Sequence, residues 1–319
     1  MDQGELVTSA PLAARLDAPS GPLFFPVTAY GPDGAVDPDT CRLHVRRGVE
    51  AGAAAVFACC GTGEFHALTP EEFDACVRAA VEAAEGRVPV VAGVGYGTAL
   101  AVRYARLAAS AGADGLLAMP PYLVRAGQEG LLRHYREVAG ATSLPVIVYQ
   151  RDNAVLTPGT VVGLARTDGI IGLKDGLGDL DLMQRTVSAV RAEEPGDFLY
   201  FNGLPTAELT QPAYRGLGIT LYSSAVFCFA PEIALACHTA FRTGDEATAN
   251  RLIDGFYRPF AELRAKGHGY AVSLVKAGVR MRGLDVGEVR PPLHEPAGDH
   301  VKQLAQLIER GHALLEEGM

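Results

Sequence analysis

Apolar runs of strand length recur along this chain at steady intervals, and most are continuous rather than alternating. They are LFFPV at 23–27, AAVFAC at 54–59, VPVVAG at 88–93, GLLAM at 115–119, VIVY at 146–149, GIIGLK at 169–174, FLYFN at 198–202 and ITLYSS at 219–224. A strand covered by helices on both faces has no polar side to show, so unbroken runs of this length point to a parallel sheet. Between them lie segments with helical period and clear start signals. Thr69-Pro70-Glu71-Glu72 supplies a cap residue, a proline at the first helical position and a glutamate that can close a capping box. Asp37-Pro38 and Thr157-Pro158 repeat the cap-then-proline device.

Strand then helix, eight times over at about 20–35 residues per unit, predicts an α/β fold of the (β/α)8 TIM-barrel type. A doubly wound sheet is the alternative, but such sheets more often stop at about five or six strands. Beyond residue 230 the pattern is purely helical, over about 232–242, 245–266, 270–282 and 299–315, with a Pro- and Gly-rich crossing at 283–298. The expected organisation is an N-terminal arm (1–20), a catalytic barrel (21–230) and a C-terminal helical appendage (231–319).

Composition narrows the class. Hydrophobic residues make up 48% of the 319 and charged residues 20%, and no apolar stretch reaches membrane-spanning length. A net charge of -9 without a basic run argues against a nucleic-acid partner. The first twenty residues lack the basic start and apolar block of a secretory signal. Cys41, Cys59, Cys60, Cys76, Cys228 and Cys237 show no ligand spacing and read as buried, reduced thiols of a cytoplasmic protein. The eight histidines contain no i, i+4 pair, so no metal is assigned to them. GVGYG at 93–97 has the wrong spacing for a dinucleotide loop and is not read as one.

Catalytic groups of such a barrel lie at the carboxyl ends of its strands. Only four of the 28 basic residues are lysines, and one of them, Lys174, ends the apolar run GIIGLK. Arginine stays protonated, whereas a desolvated lysine can become an amine nucleophile that condenses with a carbonyl. The bland reading is a lysine whose stem is buried and whose ammonium snorkels to water. Lys276 is the rival, in a helix after the barrel and so expected outside the mouth. Tyr149 ends the neighbouring strand, where it is either a core tyrosine or a proton carrier for a Schiff-base reaction. Gly61-Thr62-Gly63 follows the second run, and its amides can converge on a carboxylate, or it is a tight turn tied down by Glu64. Ser223 and Ser224 end the eighth run at the same mouth.

GTGEF, a tyrosine ending strand five and GLKDG ending strand six resemble the dihydrodipicolinate synthase / N-acetylneuraminate lyase family. AGVGYGT, KDGLGD, GLPTAE, YSSAVF, HGYAVSLVKAG and VRPPL extend the likeness over about residues 22–315. The resemblance implies a lysine-dependent barrel enzyme acting on 2-keto acids, without metal or organic cofactor, and a homotetramer or homodimer. It makes Lys174 the Schiff-base lysine, Tyr149 the proton mediator, Gly61–Gly63 part of the carboxylate cradle, and Ser223 and Ser224 pocket residues. Synthases and lyases of the family carry a hydroxyl residue where Gly61 stands, and synthases a tyrosine near Leu123. Their absence tilts the expectation from carbon–carbon joining to dehydration and decarboxylation of a keto-sugar diacid. Gln150, Asn202 and Cys228 also depart from that branch, replacing asparagine, glycine and asparagine. A diacid needs a second cation, for which Arg151 is the candidate, its plain alternative being an ion pair with Asp152. An aldolase of the same family and a non-catalytic sugar-acid-binding barrel are the remaining readings.

Overall fold

The computed structural model describes residues 11–317 except Ala18 and Pro195. Eight parallel strands close into a barrel in sequence order: β1 Leu23–Phe24, β2 Ala55–Ala58, β3 Val90–Val94, β4 Gly115–Ala118, β5 Val146–Gln150, β6 Ile170–Asp175, β7 Leu199–Asn202 and β8 Leu221–Ser224. β1 pairs with both β2 and β8 and so completes the ring. It is shorter than the apolar run that signals it, because Pro26 has no N–H to give the ladder.

The intervening helices start where their caps stand. Thr69 accepts the Glu72 N–H while Glu72 reaches back to the Thr69 N–H at 3.0 Å, closing the expected capping box. Asp37 caps Pro38–Glu50 and Thr157 caps Pro158–Ala165 in the same sense. The chain beyond β8 is helical as expected, with one difference. The stretch expected as one helix over 245–266 runs as Glu246–Leu252, a widened π turn Ile253–Tyr257, then Arg258–Arg264. Pro259 has no N–H for the bond to the carbonyl four residues back, and its ring crowds that carbonyl, so a regular α-helix cannot run through.

Two apolar layers result from the period-2 alternation of the strands. Leu23, Phe57, Ile147, Phe201 and Leu221 fill the barrel interior, while Phe24, Val56, Val148 and Tyr222 face the helices. Part of the expected arm is ordered structure: Leu12–Leu16 is a short helix whose Leu12 and Leu16 join the interior layer. Leu16 is fully buried. Leu16→Ala should therefore cost about 2–5 kcal/mol, the usual range for emptying a buried leucine site. A chemical-denaturation midpoint unchanged from wild type would show that this helix is not part of the core.

Candidate active site

Strand register sorts the side chains at the mouth. Tyr149 pairs with Lys174 and Lys174 with Phe201, while Gln150 pairs with Asp175 and Asp175 with Asn202. The first three point into the barrel and the second three point out. Asp175 is fully buried on the outer side, accepting from Gln150 Nε2 at 2.8 Å, from the Leu177 and Gly178 amides and from the Tyr214 hydroxyl. Lys174, one residue earlier, is 5% exposed and has no carboxylate within 4.0 Å among the described residues. Its amine donates to the Gly203 carbonyl at 3.3 Å and lies 4.0 Å from the centre of the Tyr149 ring. The Tyr149 hydroxyl donates to the same carbonyl at 3.1 Å, and Arg151 Nη1 lies 3.5 Å from that hydroxyl.

Two glycines make room for this pair. A Cβ on Gly203 would stand 2.5 Å from the Lys174 amine, and one on Gly176 would stand 2.8 Å from the Tyr149 hydroxyl. Above them opens a cavity of about 600 Å³ whose wall includes Gly61, Thr62, Tyr149, Arg151, Lys174 and Ser223. The structure thus brings six of the eight expected site residues onto one cavity. The amides of Gly61, Thr62 and Gly63 donate to no protein acceptor among the described residues, so the loop retains free donors. Gly63 itself sits behind the wall, with the Cys59 backbone and the Pro26 carbonyl 3.2 Å from where its Cβ would be, and its carbonyl accepts from Thr28 at 2.6 Å.

Glu64 holds that loop from outside. It is fully buried in the left-handed conformation, and it accepts from Lys276 Nζ at 3.2 Å and from the Arg290 N–H at 2.9 Å. Lys276 also donates to the Glu288 carbonyl at 2.7 Å. Burial pulls its pKa below the usual lysine range, and the Glu64 carboxylate pulls the other way. The rival lysine is therefore a loop anchor. Its helix, Tyr270–Met281, is nonetheless part of the mouth, since Val272 and Val275 line the cavity. His66, Tyr122 and Arg264 are further wall residues that the strand-end reading does not reach, because they come from loops and a distant helix. Leu123 is in the wall too, 82% exposed. Gln150, Asn202 and Cys228 are all outside it: Gln150 holds Asp175, Asn202 holds the loop after β7, and the Cys228 thiol donates to the Phe25 carbonyl at 3.2 Å.

The chain belongs to the dihydrodipicolinate synthetase family, whose model matches residues 18–311. It is 82% identical to a probable 5-dehydro-4-deoxyglucarate dehydratase 1 of Streptomyces avermitilis, over 98% of this chain and 100% of that one. A probable 5-dehydro-4-deoxyglucarate dehydratase of Rhizobium rhizogenes is 44% identical over 95% and 99% of the two chains. Among solved structures, dihydrodipicolinate synthase from Bacillus clausii superposes with a TM-score of 0.85 at 27% identity, covering 94% of this chain and 99% of its own. A prophage protein of E. coli K12, solved in complex with pyruvate, gives 0.82 at 26% identity over 92% and 98%.

Ser224 corrects the expectation that both serines line the pocket. Alternation along β8 turns Ser223 inward and Ser224 outward, where its hydroxyl accepts the Phe227 N–H and lies beside Glu208. Glu208 is fully buried and neither carboxyl oxygen has a hydrogen bond of good geometry. Burial raises its pKa from the ordinary 4.5 to about 7, against the opposing influence of Ser224 and Arg264. A raised folded-state pKa contributes stability that is full below the unfolded value and is lost as pH rises through the folded one. Glu208→Gln should thus stabilise the protein at pH 8, by roughly 3 kcal/mol at about 1.36 kcal/mol per pKa unit, and change little at pH 4.5. Melting curves showing the same effect at both pH values would assign the titration to another group.

Proposed function

We propose that this chain is a Schiff-base lyase that dehydrates and decarboxylates 5-dehydro-4-deoxy-D-glucarate to 2,5-dioxopentanoate, CO2 and water. The observation that carries the reading is the Lys174 amine, buried in the mouth without a carboxylate partner and sharing the Gly203 carbonyl with the Tyr149 hydroxyl. The close relatives named for this activity support the substrate.

The chemistry follows from an amine placed beside a proton carrier. Lys174 attacks the ketone next to one carboxylate and expels its oxygen as water, giving an iminium. That carboxylate lies on the free amides of the Gly61–Gly63 loop, with the Thr62 hydroxyl and Ser223 alongside. The iminium acidifies the adjacent methylene. Loss of a proton there gives an enamine, which pushes out the β-hydroxyl as a second water. The conjugated iminium that results takes up the electron pair of the carbon–carbon bond to the far carboxylate, which leaves as CO2. Protonation and hydrolysis, which consumes one water, return Lys174 and release the product. Tyr149, within hydrogen-bond reach of the amine's own acceptor, moves protons to and from the carbinolamine and the leaving hydroxyl.

We also infer a homo-oligomer in the cytoplasm. Tyr122, Leu123 and Val124 are 67%, 82% and 58% exposed on one loop, an apolar surface suited to a second subunit. The six free, buried cysteines suit a reducing compartment.

Borohydride added with a 2-keto acid should inactivate the enzyme irreversibly and place the added mass on Lys174, and Lys174→Arg should be inactive. One CO2 per keto diacid consumed is expected. Label on another residue would overturn the role of Lys174, and release of pyruvate in place of CO2 would make the enzyme an aldolase. Tyr149→Phe should keep its melting temperature and lose about 10²–10⁴-fold in kcat. A loss under about threefold would mean that water or another group moves the protons.

A further inference from the structure

We propose that Arg264, brought in by the C-terminal helices, reads the far carboxylate of the substrate as one half of a two-arginine clamp with Arg151. The inference rests on the keto-diacid reading above and adds to it a specificity residue that lies outside the barrel's strand ends.

Arg264 ends the helix Arg258–Arg264 and stands in the wall of the same cavity as Arg151 and Lys174. Among the described residues no carboxylate comes within 4.0 Å of it, whereas Arg151 pairs at 3.0 Å with Asp152 on the rim. Two of its nitrogens are held: Nη1 donates to the Thr206 hydroxyl and Nη2 lies 3.4 Å from the Pro205 carbonyl. A guanidinium has five N–H donors in a planar fork, so donors remain for a carboxylate. Burial and the nearby charge of Arg151 draw its pKa down, against the pull of Glu208. Two cations on one half-buried wall, one of them without a counter-ion, are stabilised when an anion sits between them.

Thr206 is built to hold Arg264 still. It has φ 53° and ψ 58°, the left-handed region, which a β-branched residue enters only under strain, and it is 3% exposed. The surrounding loop is fixed from below by Asn202, whose side-chain oxygen accepts the Leu204 N–H at 3.2 Å and whose nitrogen faces Ala207, Thr210 and Gln211. The same loop begins at Gly203, the acceptor of the Lys174 amine. Gly203 to Thr206 spans at most about 10 Å even when extended. The far end of a six-carbon chain tethered at Lys174 can therefore reach Arg264.

The test separates binding of the far carboxylate from turnover. 2-Oxoadipate has six carbons and both carboxylates but no hydroxyl to expel, and 2-oxohexanoate matches it without the far carboxylate. Half-saturation of borohydride trapping is measured for both on wild type, Arg264→Met, Arg264→Lys and Arg151→Met. Wild type should prefer 2-oxoadipate. Arg264→Met should weaken 2-oxoadipate about 10–100-fold, as for a lost hydrogen bond to a charged group, and leave 2-oxohexanoate within about twofold. Arg264→Lys should recover only part of the preference, and Thr206→Ser should keep it where Thr206→Ala loses several-fold. Preference intact in Arg264→Met would overturn the proposal, as would an equal loss for both acids, which would make Arg264 a structural residue. CO2 release from the natural diacid by wild type is scored separately. Its failure beside an intact 2-oxoadipate preference would sink the reaction and leave the clamp, and no trapping of either acid would sink both.

Discussion

Tyr149, Lys174 and Phe201 stand side by side on three neighbouring parallel strands, and each strand alternates its side chains strictly between the two faces. A slip of one residue in β6 would bury Asp175 in the mouth and send Lys174 into the layer under the helices. The register is held by groups on the outer face. Asp175 gathers Gln150, Tyr214 and two backbone amides, and Asn202 gathers the loop after β7. Gln150, Asp175 and Asn202 thus act on the site without entering it. Gly203 completes the arrangement, since any side chain there would occupy the place of the lysine amine.

How much of this could be read in the chain follows from the range of the interactions involved. The strands are legible because burial on both faces leaves continuous apolar runs, and Lys174 and Tyr149 because they end such runs. The same alternation separates Ser223 from Ser224, one facing the cavity and the other Glu208, but both lie past the last apolar residue of their run, where no hydrophobic pattern marks the two faces. Arg264 was not legible. Its partner Thr206 lies 58 positions earlier in the chain, and no local pattern signals that the helix Arg258–Arg264 reaches the mouth. Placing post-barrel helices outside the mouth fails for the same reason, since Val272 and Val275 form part of the wall. Lys276 is excluded from the chemistry by its buried partner instead.

That buried partner matters to the loop that faces substrate. Glu64 and Lys276 are 212 positions apart and both fully buried, so each depends on the other to offset its lost hydration. Glu64 spends its second oxygen on the Arg290 N–H, tying the loop after β2 to the segment after the Tyr270–Met281 helix. With the loop pinned from the outside, the Gly61, Thr62 and Gly63 amides need not bond among themselves. In the proposed reading, a carboxylate arriving at the mouth meets the free donors of an anchored loop, which needs little reorganisation.

The distribution of charge completes the logic of the site. The protein carries a net charge of -9, yet among the described residues the cavity wall holds the two guanidiniums of Arg151 and Arg264 against one carboxylate, Asp152. The acids close to the mouth are turned away from it: Asp175 into an outward hydrogen-bond cluster, Glu64 onto Lys276, and Glu208 into an apolar layer where burial favours its neutral form. An acidic surface repels a dianion at long range, but that repulsion is largely screened beyond about 10 Å at ordinary ionic strength. Inside the mouth the local cations dominate, because low-dielectric walls concentrate their field. The same sorting meets both needs of decarboxylation. One carboxylate must stay, and in the proposed reading it lies on the free amides of the anchored loop after β2. The other must leave uncharged, and in the proposed clamp it is held by two arginines of a half-buried wall that keep partners of their own, Asp152 for Arg151 and Thr206 for Arg264.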